Sequence, residues 1–258
     1  MAYRSLAPKD GGPPADPARS GAALWTLLLA CAATALLWFV PYAALVTYPI
    51  RLLVTFLHEG GHALAALATG GAVRGIEVYA DGSGVTWTQG GLSLAVVSAG
   101  YLGATLYGAL LIALLRRGVA GRTLLLATGI WVGLLTVGFV RPWSNPFGFF
   151  WGIALAAALL AAARALPPGG AHWTAAFVGI QCGLNALFDL RTLLRLSWGG
   201  TIASGGPAVA TDAALLSRMI PLPPVVWAML WLLLSVAVLG LVLLTPSRRR
   251  PAARVPFP

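Results

Sequence analysis

From Ala22 to Thr69 the chain is almost continuously apolar, interrupted only by Arg51 and by the pentapeptide His58-Glu59-Gly60-Gly61-His62. At roughly 20 residues per membrane crossing, that run holds about two helical spans. Proline suits the first turn of a helix and Thr47 can cap one, so the break between the two is predicted at Pro49. The second helix is then predicted to stop at Gly70-Gly71. His58 would lie roughly 14 Å along it, at 1.5 Å per residue.

Five further apolar runs follow: Leu92 to Leu115, Leu124 to Val140, Phe147 to Leu166, Trp173 to Leu194 and Pro224 to Leu244. The hydrophobic fraction is 59% and only 9% of residues are charged, against about 25% in ordinary soluble domains. The expectation is an all-α polytopic membrane protein with about six to seven transmembrane helices. Residues 1–20, rich in proline, read as a disordered tail. Residues 21–246 form the membrane-embedded domain, with a loop at about 197–223, and residues 247–258 form a basic tail beginning near Arg248-Arg249-Arg250. In the third span Gly100, Ala104 and Gly108 recur every four residues, a face on which helices approach closely in lipid.

One segment breaks the helical pattern. Around residues 72–90, Ile76, Val78 and Ala80 alternate with Glu77 and Tyr79, Asp81-Gly82-Ser83-Gly84 follows, and Val85-Thr86-Trp87-Thr88 comes next. Period-two alternation about a glycine-rich turn predicts a β-hairpin after the pentapeptide helix. Its strand edge is suited to an extended substrate.

The net charge of +10 would point to nucleic acid in a soluble protein. Here the arginines fall at span ends and in the tail, so they read as topology signals and lipid-headgroup contacts, and no nucleic-acid partner is expected. Loop arginines and lysines are nearly equal on the two sides, which leaves the orientation open. Cys31 and Cys182 both lie in apolar runs and are read as packing residues.

Residues four apart on a helix share a face, so His58 and His62 can hold one metal ion while Glu59 faces the same cleft. Zinc bound by two histidines and a third protein ligand keeps an open position for water. Glu59 would then act as general base and afterwards as general acid. Only seven acids occur in the chain, and for the third ligand they leave Asp81, Asp189 and Asp212. Asp189 is the one within a span, with Asn185 a turn before it, placed to orient the ligand or to donate to a developing oxyanion. Three crossings separate the two polar helices, which makes them parallel and puts both sites in one leaflet. Asp212 follows a glycine-rich loop and is read as a helix cap, and His172 as an interfacial residue. Gly60 and Gly61 are expected to leave room for a substrate backbone. A metal transporter should show more than one set of intramembrane polar ligands; a non-catalytic protein with a regulatory or structural metal site is the alternative to an enzyme.

HEGGHALAALATGG, the hairpin, SAGYLGATLYGALL, NALFDL and TDAALLSRM before VVWAMLWLLLS together resemble a compact bacterial branch of the site-2 protease family, from about residue 50 to residue 240. The resemblance implies an intramembrane zinc metallopeptidase of a cell membrane. It implies Zn2+ on His58, His62 and Asp189, catalytic Glu59, and a transmembrane protein or peptide as substrate. Better-studied members carry Leu-Asp-Gly with a nearby proline; this chain has Phe188-Asp189-Leu190 and no helix-breaking residue between Asn185 and Asp189.

Overall fold

The computed structural model describes residues 43–197 and 211–245, and side chains within 47–184 and 211–245. The two tails, most of the first expected span and the first half of the long loop lie outside the described residues; the second half of that expected loop contains a short helix. Among the described residues the elements are α1 (Ala43–Ala68), β1 (Ala72–Val78), β2 (Gly84–Gln89), α2 (Ser93–Arg116), α3 (Gly121–Phe139), α4 (Pro146–Ala165), α5 (Pro168–Ser197), α6 (Asp212–Met219) and α7 (Pro224–Leu244). These helices and the one antiparallel hairpin agree with the expected mostly helical class, but not every helix is a candidate span. Four of them, α2, α3, α4 and α7, are long and apolar enough to cross a membrane.

The predicted break at Pro49 is not observed: α1 runs through that residue. Proline in a helix interior forfeits one main-chain bond, but in an apolar stretch the helix remains the conformation that satisfies the other backbone groups. The predicted stop does occur. Gly70 adopts φ +81°, Gly70 N–H donates to Leu67 O at 3.3 Å and Gly71 N–H to Ala66 O at 2.8 Å. This pair of bonds closes the helix end, and the left-handed residue between them favours glycine.

Helices α2 to α5 pack through small residues. A Cβ built on Gly108 of α2 would stand 2.3 Å from the carbonyl oxygen of Gly179 in α5, and one on Gly129 of α3 would stand 3.1 Å from that of Ala156 in α4. Backbones in such contact maximise dispersion where lipid offers no hydrophobic drive. Polar side chains in this interior are satisfied locally. Thr128 and Thr136 each return a hydrogen bond to the carbonyl four residues back at 2.8 Å, and Thr105 pairs with Ser235 of α7 at 2.9 Å.

α1 crosses one end of this bundle. Gly61 meets Ala99 of α2, Gly60 meets Leu135 of α3, and Phe56 meets Gly152 of α4, each partner within about two turns of its own helix end. Gly60 and Gly61 therefore serve helix contact: a Cβ on Gly61 would lie 2.2 Å from Ala99 O, and one on Gly60 2.6 Å from Leu135 Cδ1. The space expected there for a substrate is taken by neighbouring helices.

The hairpin is fastened to both neighbours. From α1, Tyr48 donates to Ala80 O at 2.7 Å, Arg51 to Asp81 O at 2.8 Å and Thr55 to Gly82 O at 2.8 Å. These three side chains share a face at helical spacing and take up successive turn carbonyls. On the other side, Val78 N–H donates to Asn145 Oδ1 at 3.1 Å, so the turn before α4 covers β1. Ile76 and Val78 are buried there.

The opposite end carries a second group of arginines. Arg116 donates to the carbonyls of Val242, Leu243 and Thr245 at the end of α7. Arg122 donates to Leu166 O at 3.0 Å, at the end of α4. Each cation satisfies helix-terminal carbonyls that lack an intrahelical donor.

Candidate metal centre

His58 and His62 project from one face of α1, one turn apart, with their Nε2 atoms 3.2 Å from each other. Asp212 reaches both: its Oδ2 is 3.2 Å from His58 Nε2 and 3.3 Å from His62 Nε2. Three donors thus form a nearly equilateral triangle. Ligand bonds of about 2.0–2.1 Å at tetrahedral angles separate zinc donors by about 3.3–3.4 Å, so this triangle has the dimensions of one face of a zinc tetrahedron. The residues fit the metal.

Two neighbours prepare the donors. His62 Nδ1–H donates to Val96 O at 2.7 Å, which fixes the ring and leaves Nε2 with its lone pair toward the triangle. Gly100, one turn further along α2, faces the same two nitrogens. A Cβ there would sit 2.3 Å from His58 Nε2 and 2.5 Å from His62 Nε2. The missing side chain leaves the donors their space. Tyr101 braces His58 edge-on at 4.6 Å between ring centroids and stacks on Trp231 of α7 at 5.0 Å.

Asp212 sits where it does because another residue caps α6. Thr211 is the N-cap and its hydroxyl accepts from Ala214 N–H at 3.3 Å. The Asp212 carboxylate is released from the capping role expected of it. Ala213 and Leu216, both buried, hold α6 in a small apolar cluster with Tyr101, Trp227 and Trp231.

Glu59 is only 4% exposed. Its Oε2 accepts the Thr86 hydroxyl of β2 at 2.6 Å. Asp81, the remaining aspartate candidate, belongs to the hairpin turn: its Oδ1 accepts Ser83 Oγ–H at 2.6 Å and Ser83 N–H at 2.9 Å. These bonds hold its carboxyl below the usual carboxylate range. Asn185 and Asp189 lie in α5, and their side chains are outside the described residues. His172, at the start of α5, takes no part in the triangle.

A family model described as Peptidase M50B-like matches residues 28–242 of the chain. The chain belongs to the site-2 protease family. Membership agrees with a multi-pass architecture and with a His/His/Asp group able to hold a metal, as expected of a family of membrane zinc metallopeptidases. No curated protein and no solved structure matches this family member.

Sequence reasoning kept Asp212 among the third-ligand candidates but read it as a cap, and it passed over the places of Gly100 and Thr86 beside the histidines and Glu59. Thr211 carried a signal for Asp212, since a helix needs one N-cap and threonine fills that role unaided. Gly100 already stood out in the small-residue stripe, but its second role needed the helix crossing.

Proposed function

We propose that the protein is an intramembrane zinc endopeptidase that cuts peptide bonds in or near transmembrane segments of membrane proteins. The observation that carries the reading is the triangle of His58, His62 and Asp212 beside the buried carboxylate of Glu59. His58, His62 and Asp212 are the protein ligands, with Asp212 in place of Asp189. The metal, when bound, supplies Lewis acidity and makes water a nucleophile near neutral pH. Glu59 accepts the proton of the attacking water and returns it to the leaving amine, general base and then general acid. His62 keeps its tautomer through Val96.

The hairpin supplies the substrate's lane. β1 is covered by Asn145, whereas β2 runs past Glu59 through Thr86. A substrate segment unwound from its helix and laid along β2 would be held by main-chain bonds with its amides exposed to the centre. A lipid bilayer surrounds the enzyme and a transmembrane protein or peptide is its substrate.

Metal analysis and a cleavage assay test this reading together. Purified wild type is expected to hold about one zinc per chain, Asp212→Ala to lose it, and Asp189→Ala and Glu59→Gln to keep it. Retention in Asp212→Ala with loss in Asp189→Ala would return the ligand to α5. Membranes expressing wild type should contain peptide termini missing from membranes expressing Glu59→Gln; identical termini would defeat the peptidase reading.

A further inference from the structure

The hairpin does more than border the centre, because two residues of β2 enclose the Glu59 carboxylate. Residues 84 and 86 share one face of the strand. Thr86 Oγ1 lies 2.6 Å from Glu59 Oε2 and 3.1 Å from the Glu59 main-chain carbonyl oxygen. Gly84 faces the other oxygen: a Cβ there would stand 2.6 Å from Glu59 Oε1, 2.8 Å from Glu59 Cγ and 2.8 Å from Thr55 Cγ2. One carboxylate oxygen is thus bonded, and the other lies against a residue without a side chain.

We propose that Thr86 is the positioning residue of Glu59, with Gly84 as the gap that admits the carboxylate. This rests on the peptidase reading and deepens it. Thr86 fixes Oε2, which leaves Oε1 to take up the proton of water and to return it to the leaving amine. Valine, the same shape, cannot make this bond.

The turn carbonyls held by Tyr48, Arg51 and Thr55 set how far β2 advances along α1, so hairpin docking and Glu59 orientation are one arrangement. Those bonds and the Thr86 bond lie along the same helix face at residues 48, 51, 55 and 59. The hairpin is a template for the base.

The chain has only two glutamates, Glu59 and Glu77, which makes a direct test practical. Full-length protein in lipid, labelled with 13C at glutamate Cδ and freed of metal, should give two carboxyl resonances, with Glu77→Gln identifying that of Glu59. Thr86→Val is expected to move the Glu59 resonance and Thr86→Ser to restore it. In the zinc-loaded enzyme Thr86→Val should lower kcat about ten- to a hundredfold with KM and zinc content unchanged, and Thr86→Ser should recover most of it. An unmoved resonance in Thr86→Val, or Thr86→Ser as impaired as Thr86→Val, would overturn the assignment. If wild type and Glu59→Gln were equally without cleavage, the peptidase reading would fall, while the resonance would still judge the Thr86–Glu59 pairing.

Discussion

Gly100 shows how much a single missing atom decides. Its hydrogen faces two imidazole nitrogens, and a methyl there would lie well inside contact distance of both. Gly100→Ala is therefore expected to weaken zinc binding about ten- to a hundredfold, the usual range when the surroundings of a ligand histidine are disturbed. Competition against a chelator of known affinity measures it. Gly61→Ala makes the contrast: its methyl meets the Ala99 carbonyl, so the loss should appear as instability of the α1–α2 contact. The legibility of these residues differed for physical reasons. His58, Glu59 and His62 announce themselves by spacing, because four residues on a helix is a geometric statement. An aspartate at the start of a short helix looks the same whether it caps or ligates, and only the position of Thr211 and the packing of Leu216 distinguish the two.

At the scale of elements, the long helices α2, α3, α4, α5 and α7 and the hairpin were legible because their signals are periodic and long, whereas the eight residues of α6 fall in the segment expected to be a loop. Apolar runs of about 20 residues and alternation about a glycine turn survive in any tertiary context. The start of α1 was not legible. Proline marks a local preference, and the backbone's need for bonds in an apolar stretch overrode it. How the hairpin is held was also hidden, since Tyr48, Arg51 and Thr55 are far in sequence from the turn they grip. Arg51→Ala should loosen that grip while leaving zinc in place. Amide exchange at residues 79–84 is expected to quicken about fivefold, the effect of losing one largely exposed hydrogen bond. Unchanged exchange there would mean that Arg51 does not hold the turn.

At the scale of the whole molecule, the acids with described side chains lie at one end. Glu59, Glu77, Asp81 and Asp212 lie toward the hairpin together with Arg51, Arg74 and Arg141, whereas a second group of arginines, Arg116, Arg117, Arg122 and Arg164, gathers where α2 ends, α3 begins and α4 ends. α3 alone separates the Arg117 corner from the turn at Ser144, and it is long enough to cross the membrane. In a variant lacking Cys31 and Cys182, Arg117→Cys and Ser144→Cys are thus expected to react with an impermeant maleimide from opposite sides of sealed vesicles. Trp87→Cys, on the hairpin, should react from the side of Ser144. Labelling of all three from one side would rule out this arrangement of spans.

Asp212 and His58 are 154 residues apart in the chain, and that separation has a consequence in time. α6 rests on Tyr101 from α2 and Trp231 from α7, so its carboxylate reaches the histidines only after α7 has been made and docked. A growing chain therefore carries the two histidines early and lacks the Asp212 carboxylate beside them until α6 and α7 have been made. The peptidase proposed above would be without its complete metal site while α1 to α5 enter the bilayer.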